Sequence, residues 1–115
     1  ETIMAGLNCG TPCKSIWPAL KKLPTAYVTC KDYAAAHAMR AYAKPAGDDP
    51  VIVSGESGAS TMGAVLMLLE RPELEAARKA LGLGADSVIL LINTEGDTDP
   101  VSYRNIVEFG AYPLP

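Results

Sequence analysis

Apolar and polar positions in this chain alternate between two patterns. Val51-Ile52-Val53 and Val88-Ile89-Leu90-Leu91-Ile92 are short apolar runs, each followed by a turn of small or polar residues and then by helical spacing. Apolar residues at every position of so short a run predict strands covered on both faces, as in a parallel sheet. Ala26 to Cys30 reads as a further strand. Helices fill the intervals. Ser15 can cap a short helix through Leu23 with Pro18 in its first turn, and an alanine-rich helix runs from Asp32 to about Ala43. The helix from Gly58 carries Ala59, Met62, Gly63, Leu66 and Leu69 at three- and four-residue spacing. Pro72 opens a helix over Glu73 to Leu81, stopped by Gly82 and Gly84, and Pro100 opens the last one, which ends at Gly110. Glu1 to Cys13 reads as a loop and Ala111 to Pro115 as a tail. The expected fold is α/β, a parallel sheet with flanking helices, in one segment 1–115 with a loop break at 45–50.

Ligands of parallel sheets sit at the carboxyl ends of the strands. The two hydroxyl- and glycine-rich strand ends, Ser54 to Ala59 and Asn93 to Pro100, should therefore emerge at the same edge and form a cofactor site. Gly55-Glu56-Ser57-Gly58-Ala59 also fits a relaxed nucleophile elbow. The chain's one histidine, His37, precedes that serine, whereas the α/β-hydrolase order places both acid and histidine after it. Ser57 is expected instead to cap the helix that follows. Asp97 and Asp99 resemble an Asp-x-Asp pair, but Thr94, Glu95 and Gly96 separate them from the strand end, and Asp99 before Pro100 suits an N-cap. Cys9 and Cys13 have no converging partners for a four-ligand zinc site, so no metal site is expected.

Composition narrows the function. A chain of 115 residues, 49% hydrophobic and 20% charged, is neither disordered nor a coiled coil. With a net charge of -3 and scattered lysines it lacks the basic stripe that nucleic acid requires. The longest apolar run, Ala64 to Leu69, is too short to span a bilayer, so no membrane partner is expected. No signal peptide is visible, and the opening on Glu1 suggests part of something longer. Three cysteines outside any disulfide scaffold point to a reducing, cytoplasmic setting.

Several segments taken together resemble the C-terminal part of the pyridoxal-phosphate enzymes of the tryptophan synthase β-subunit family (fold type II). They are Thr2-Ile3-Met4-Ala5-Gly6-Leu7, Tyr27-Val28-Thr29-Cys30-Lys31-Asp32, Ser57-Gly58-Ala59 and Asn93-Thr94-Glu95-Gly96-Asp97. Within that group, Ile3 to Gly10, Ser54 to Ala59 and Thr94 to Asp99 are most similar to the diaminopropionate ammonia-lyase family. The resemblance implies pyridoxal 5'-phosphate as cofactor and α,β-elimination of 2,3-diaminopropionate to pyruvate and ammonia. It implies an amino-acid substrate and the remainder of the same enzyme as partners, within a homodimer. The family's Schiff-base lysine, phosphate loop and acid–base carboxylates lie upstream, so no catalytic residue is expected here and the chain alone should be inactive. The implied cofactor-binding residues are Thr94 beside the pyridine nitrogen, Ala5 and Gly6 with their backbone close to the ring, and Ser57 nearby. Many relatives have Glu two residues before the Ser-Gly-Ala serine; here that position is Gly55, and no role is carried over to Glu56. The alternatives are a fragment of a threonine/serine dehydratase-like enzyme, a non-catalytic α/β interaction module, and a small serine hydrolase.

Overall fold

Four alanines in the middle of the chain decide where its core lies. Ala34, Ala35, Ala36 and Ala38 are fully buried in helix α2 (Asp32–Ala43), and their small side chains let a second helix, α3 (Glu56–Glu70), pack directly against them. At Gly63 of α3 the approach is backbone to backbone: a Cβ there would lie 2.4 Å from the carbonyl oxygen of Ala34. Met39 and Ala59 complete the contact, and Ile106 closes it from α5 (Pro100–Val107). The remaining helices are short: α1 (Trp17–Leu20) and α4 (Glu75–Ala80), with 3-10 turns at Ala5–Leu7 and Pro72–Leu74. This is the arrangement in the computed structural model, which describes residues 1–115.

Most helices start close to where local chemistry puts them, but α1 lacks the expected Ser15 cap: its N-cap residue is Ile16, with no side-chain capping bond. α2 begins at Asp32. α5 begins at Pro100 and is capped by Asp99, whose Oδ1 accepts hydrogen bonds from the amides of Val101 (3.1 Å) and Ser102 (3.0 Å). Left-handed glycines follow α4 and α5: Gly82 at φ 68° and Gly110 at φ 73°. The helix after Pro72 divides, its first turn being 3-10 and its α-helical part starting at Glu75. α3 starts earlier than its spacing predicts, at Glu56 behind Gly55.

The expected parallel sheet is absent. The structure has no strand: Ala26–Cys30, Val51–Val53 and Val88–Ile92 are not joined into a ladder. A parallel ladder needs evenly spaced backbone bonds along both segments. Between the last two segments there is one, from the amide of Gly55 to the carbonyl of Glu95 (3.0 Å), just past their carboxyl ends. The amide of Ile52 turns instead to Tyr42 O at the end of α2 (3.0 Å). Nor is Val88–Ile92 covered on both faces. Val88 is 99% exposed and Leu90 86%, while Ile89 between them is 38% exposed. That alternation is what an extended segment shows when one face only is packed.

The open face has a counterpart in the whole surface. The chain exposes 8013 Å², against about 6,000 Å² for a compact monomer of its mass. Its radius of gyration is 14.8 Å, against about 13 Å for a closed domain of this length.

Candidate cofactor-facing site

The first turn of α3 is the point on which three distant segments converge. Helix N-termini present amides without intrahelical partners, and Gly55 at the N-cap position has no side chain to satisfy them. Glu95 does so from another segment: its Oε2 accepts from the amides of Ser57 (2.8 Å) and Gly58 (3.4 Å). Its Oε1 accepts from the hydroxyl of Thr98 (3.2 Å). A carboxylate at this end of a helix is also favoured by the helix dipole. Two glycines make room for it. A Cβ on Gly55 would lie 2.8 Å from Glu95 Cγ and Cδ, and one on Gly58 would lie 3.0 Å from Glu95 N and 2.3 Å from Asn93 Oδ1.

Asn93 fastens the same junction one residue before Thr94. Its Oδ1 accepts from the Ser54 hydroxyl (2.8 Å) and from the amide of Glu95 (3.3 Å), and its Nδ2 donates to Val53 O (3.1 Å). The ends of the two apolar segments thus meet, though not at the edge of a sheet, through side chains and a single backbone bond.

Ser57 does not cap its helix, contrary to expectation. It lies inside the first turn, and its Oγ accepts a hydrogen bond from the amide of Gly6 (3.0 Å). That bond brings in the third segment, the 3-10 turn Ala5–Leu7. A Cβ on Gly6 would lie 2.9 Å from Ser57 Oγ, so the approach depends on glycine. The other end of this segment is held by α2: the Thr2 hydroxyl donates to Asp32 Oδ1 (2.5 Å) and the Ile3 amide to Asp32 Oδ2 (3.3 Å). Ala5, Gly6 and Thr94 are exposed, while Ser57 is buried. Glu56 is buried as well and accepts from the Ser102 hydroxyl of α5 (2.5 Å).

Other expected chemistry is placed elsewhere. His37 Nε2 pairs with Glu70 Oε2 at 3.0 Å. Glu70 is the last residue of α3, and thirteen residues of helix put it about 20 Å from Ser57. The hydrolase reading therefore has no base for its serine. Asp99 is engaged in capping α5. Burial beside Asp32 pushes the Cys30 thiol up, whereas a hydrogen bond with Ser15 holds the exposed Cys13 thiol below its ordinary value. Glu95, Asn93 and Asp32 were not singled out by sequence reasoning. The pair of glycines at Gly55 and Gly58 was the available signal, since two missing side chains at a helix start mark something large packed there.

Over 111 residues the chain is 42% identical to the diaminopropionate ammonia-lyase of Escherichia coli, an alignment covering 96% of this chain and 28% of that enzyme. The chain is a homologue of the diaminopropionate ammonia-lyases. It is 40% identical to the lyase of Salmonella typhimurium over 107 residues, 92% of this chain and 26% of the relative. The chain thus spans little more than a quarter of the lyases it matches. No protein-family model matches it. Among solved structures, the Escherichia coli lyase in complex with an aminoacrylate-PLP azomethine reaction intermediate superposes with a TM-score of 0.94 at 41% identity, over all of this chain and 30% of that one. The same enzyme in complex with D-serine superposes with a TM-score of 0.88 at 40% identity, over 93% and 27%.

Proposed function

We propose that this chain is the part of a pyridoxal-phosphate ammonia-lyase that receives the pyridine side of the cofactor, in an enzyme that eliminates ammonia from 2,3-diaminopropionate to give pyruvate. The observation that carries this reading is the junction at α3. It leaves Thr94 exposed while both oxygens of the neighbouring Glu95 carboxylate are engaged by Ser57, Gly58 and Thr98. The residues fit the group. Ala5 and Gly6 offer exposed backbone without bulky side chains, and Thr94 is a neutral hydrogen-bonding partner for a ring nitrogen.

When bound, the cofactor supplies the electron sink for elimination. This chain sets the strength of that sink. The Thr94 hydroxyl would donate to an unprotonated ring nitrogen, but unlike a carboxylate it would not hold a proton there. A weaker sink favours prompt loss of the β-amino group over reprotonation and transamination. Ser57 holds the Gly6 amide and so would set how closely the Ala5–Gly6 backbone could approach the ring. The proton-transfer groups and the lysine that carries the cofactor belong to the remainder of the enzyme. That remainder also covers the open Val88–Leu90–Ile92 face, and the excess exposed surface is in keeping with this and with a homodimer. No helix is long and apolar enough to cross a membrane, and three free thiols suit a reducing cytoplasm.

The test uses the complete lyase. Thr94→Val should slow pyruvate release from 2,3-diaminopropionate about 5- to 150-fold, the equivalent of one hydrogen bond of about 1–3 kcal/mol. Thr94→Asp should raise the long-wavelength absorbance and side transamination. Parental rates and spectra in both variants would refute the role of Thr94. Faster turnover of serine or threonine than of diaminopropionate would move the assignment to a dehydratase. The isolated 115-residue chain should release no pyruvate.

A further inference from the structure

We propose that Glu95 is a positioning residue for the elimination, fixing Thr94 by anchoring the residue after it to the start of α3. This rests on the reading above and names the group on which it depends. Thr94 is exposed, and the packing that holds it is made by its neighbours. Asn93 is tied to Ser54 and Val53. Glu95 is tied at more points: its amide donates to Asn93 Oδ1 (3.3 Å) and its carbonyl accepts from Gly55 N (3.0 Å). Its carboxylate accepts from Ser57 N, Gly58 N and the Thr98 hydroxyl.

Adjacent Cα atoms lie 3.8 Å apart across a trans peptide, and no peptide here is cis. A rotation or shift of Glu95 therefore passes directly to the Thr94 hydroxyl. The same anchor reaches the opposite side of the site. The helix turn whose amides bind Glu95 carries Ser57, and Ser57 Oγ holds the Gly6 amide. One carboxylate thus couples the Thr94 segment to the Ala5–Leu7 turn. The anchor has a second effect, because it keeps that carboxylate bonded to the amides at the start of α3. Loss of the anchor should therefore alter the ring's electronic environment as well as its geometry.

The experiment compares Glu95→Ala, Glu95→Gln, Thr94→Val and the Thr94→Val/Glu95→Ala double variant in the complete, cofactor-loaded lyase. Readouts are kcat and KM for diaminopropionate, the visible absorption maximum of the bound cofactor, and the melting temperature. Glu95→Ala should lower kcat about tenfold to a hundredfold, as expected for a sub-ångström to one-ångström misplacement, with KM less affected and the absorption maximum shifted. Glu95→Gln keeps an acceptor for the Ser57 amide and should recover most of kcat and the parental maximum. The double variant should lose less than the product of the two single losses, since both act on the Thr94 hydrogen bond. Multiplying losses, or an unshifted maximum with kcat lost only in step with melting temperature, would overturn the proposal. If Thr94→Val slows the enzyme and Glu95→Ala does not, Glu95 alone is excluded. If Thr94→Val is silent, the reading of Thr94 fails and the proposal fails with it.

Discussion

Gly58 offers a sharp test of the junction, because packing and propensity predict opposite signs. Replacing glycine by alanine inside a helix ordinarily stabilises it by about 1 kcal/mol. Here the new methyl would lie 2.3 Å from Asn93 Oδ1, 2.9 Å from Ser54 Oγ and 3.0 Å from Glu95 N. Two of these are acceptor or hydroxyl oxygens already joined to each other, so neither can move without breaking the Ser54–Asn93 bond. Overpacking of this kind costs about 1–3 kcal/mol, and a lost internal hydrogen bond about 1 kcal/mol more. Set against the gain in propensity, Gly58→Ala should open the junction by about 1–3 kcal/mol. The assay is amide hydrogen exchange over residues 53–60 and 93–98 in the complete lyase, which reads local opening where global unfolding of a large protein is not two-state. Protection should fall about 5- to 150-fold in both segments together. Adding Asn93→Gly, which removes the obstructing amide, should cost less in the Gly58→Ala background than in the parent. Unchanged or raised protection in Gly58→Ala would refute the packing argument.

Two further outcomes follow from side chains away from the site. Arg40 donates to the carbonyls of Ile106 (3.4 Å), Ala111 (3.0 Å) and Tyr112 (3.3 Å); Arg40→Met keeps the apolar stem and should weaken this attachment by about 1.5–3 kcal/mol, the usual range for bonds to a charged donor, seen as faster exchange after residue 106 with 93–98 unchanged. Cys13, lowered by its Ser15 hydrogen bond, should carry more thiolate near neutral pH and react with iodoacetamide ahead of Cys30, which burial raises; Ser15→Ala should move the Cys13 reaction profile to higher pH.

Features governed by neighbours in sequence were legible before the structure, and those governed by distant groups were not. The starts at Asp32 and Pro100 and the cap at Asp99 need only residues within one turn. The stops at Gly82 and Gly110 need only a backbone free to take positive φ. A strand is different, since its existence depends on a partner's backbone. Val88–Ile92 has the composition of a central strand but no ladder in these 115 residues, and Val88, Leu90 and Ile92 are open. The role of Ser57 failed for a similar reason. Its expected cap is supplied from 38 residues away by Glu95, which frees its oxygen for Gly6. Ser57, Gly6, Ala5 and Thr94 entered as candidates by resemblance, whereas Glu95 and Asn93 required the contacts themselves.

The two ends of α2 hold the two ends of the chain. Asp32 at its start binds Thr2, and Arg40 near its finish binds Ala111. The helix therefore closes two loops, spanning separations of 30 and 71 residues. The entropy of closing a flexible loop grows only as the logarithm of its length, so the longer loop costs about 0.8 kcal/mol more than the shorter. Length is therefore inexpensive in this arrangement and attachment is not. Extra residues in the exposed turn at 46–50 should be borne easily, whereas losing a fastening on α2 frees the chain end that it holds.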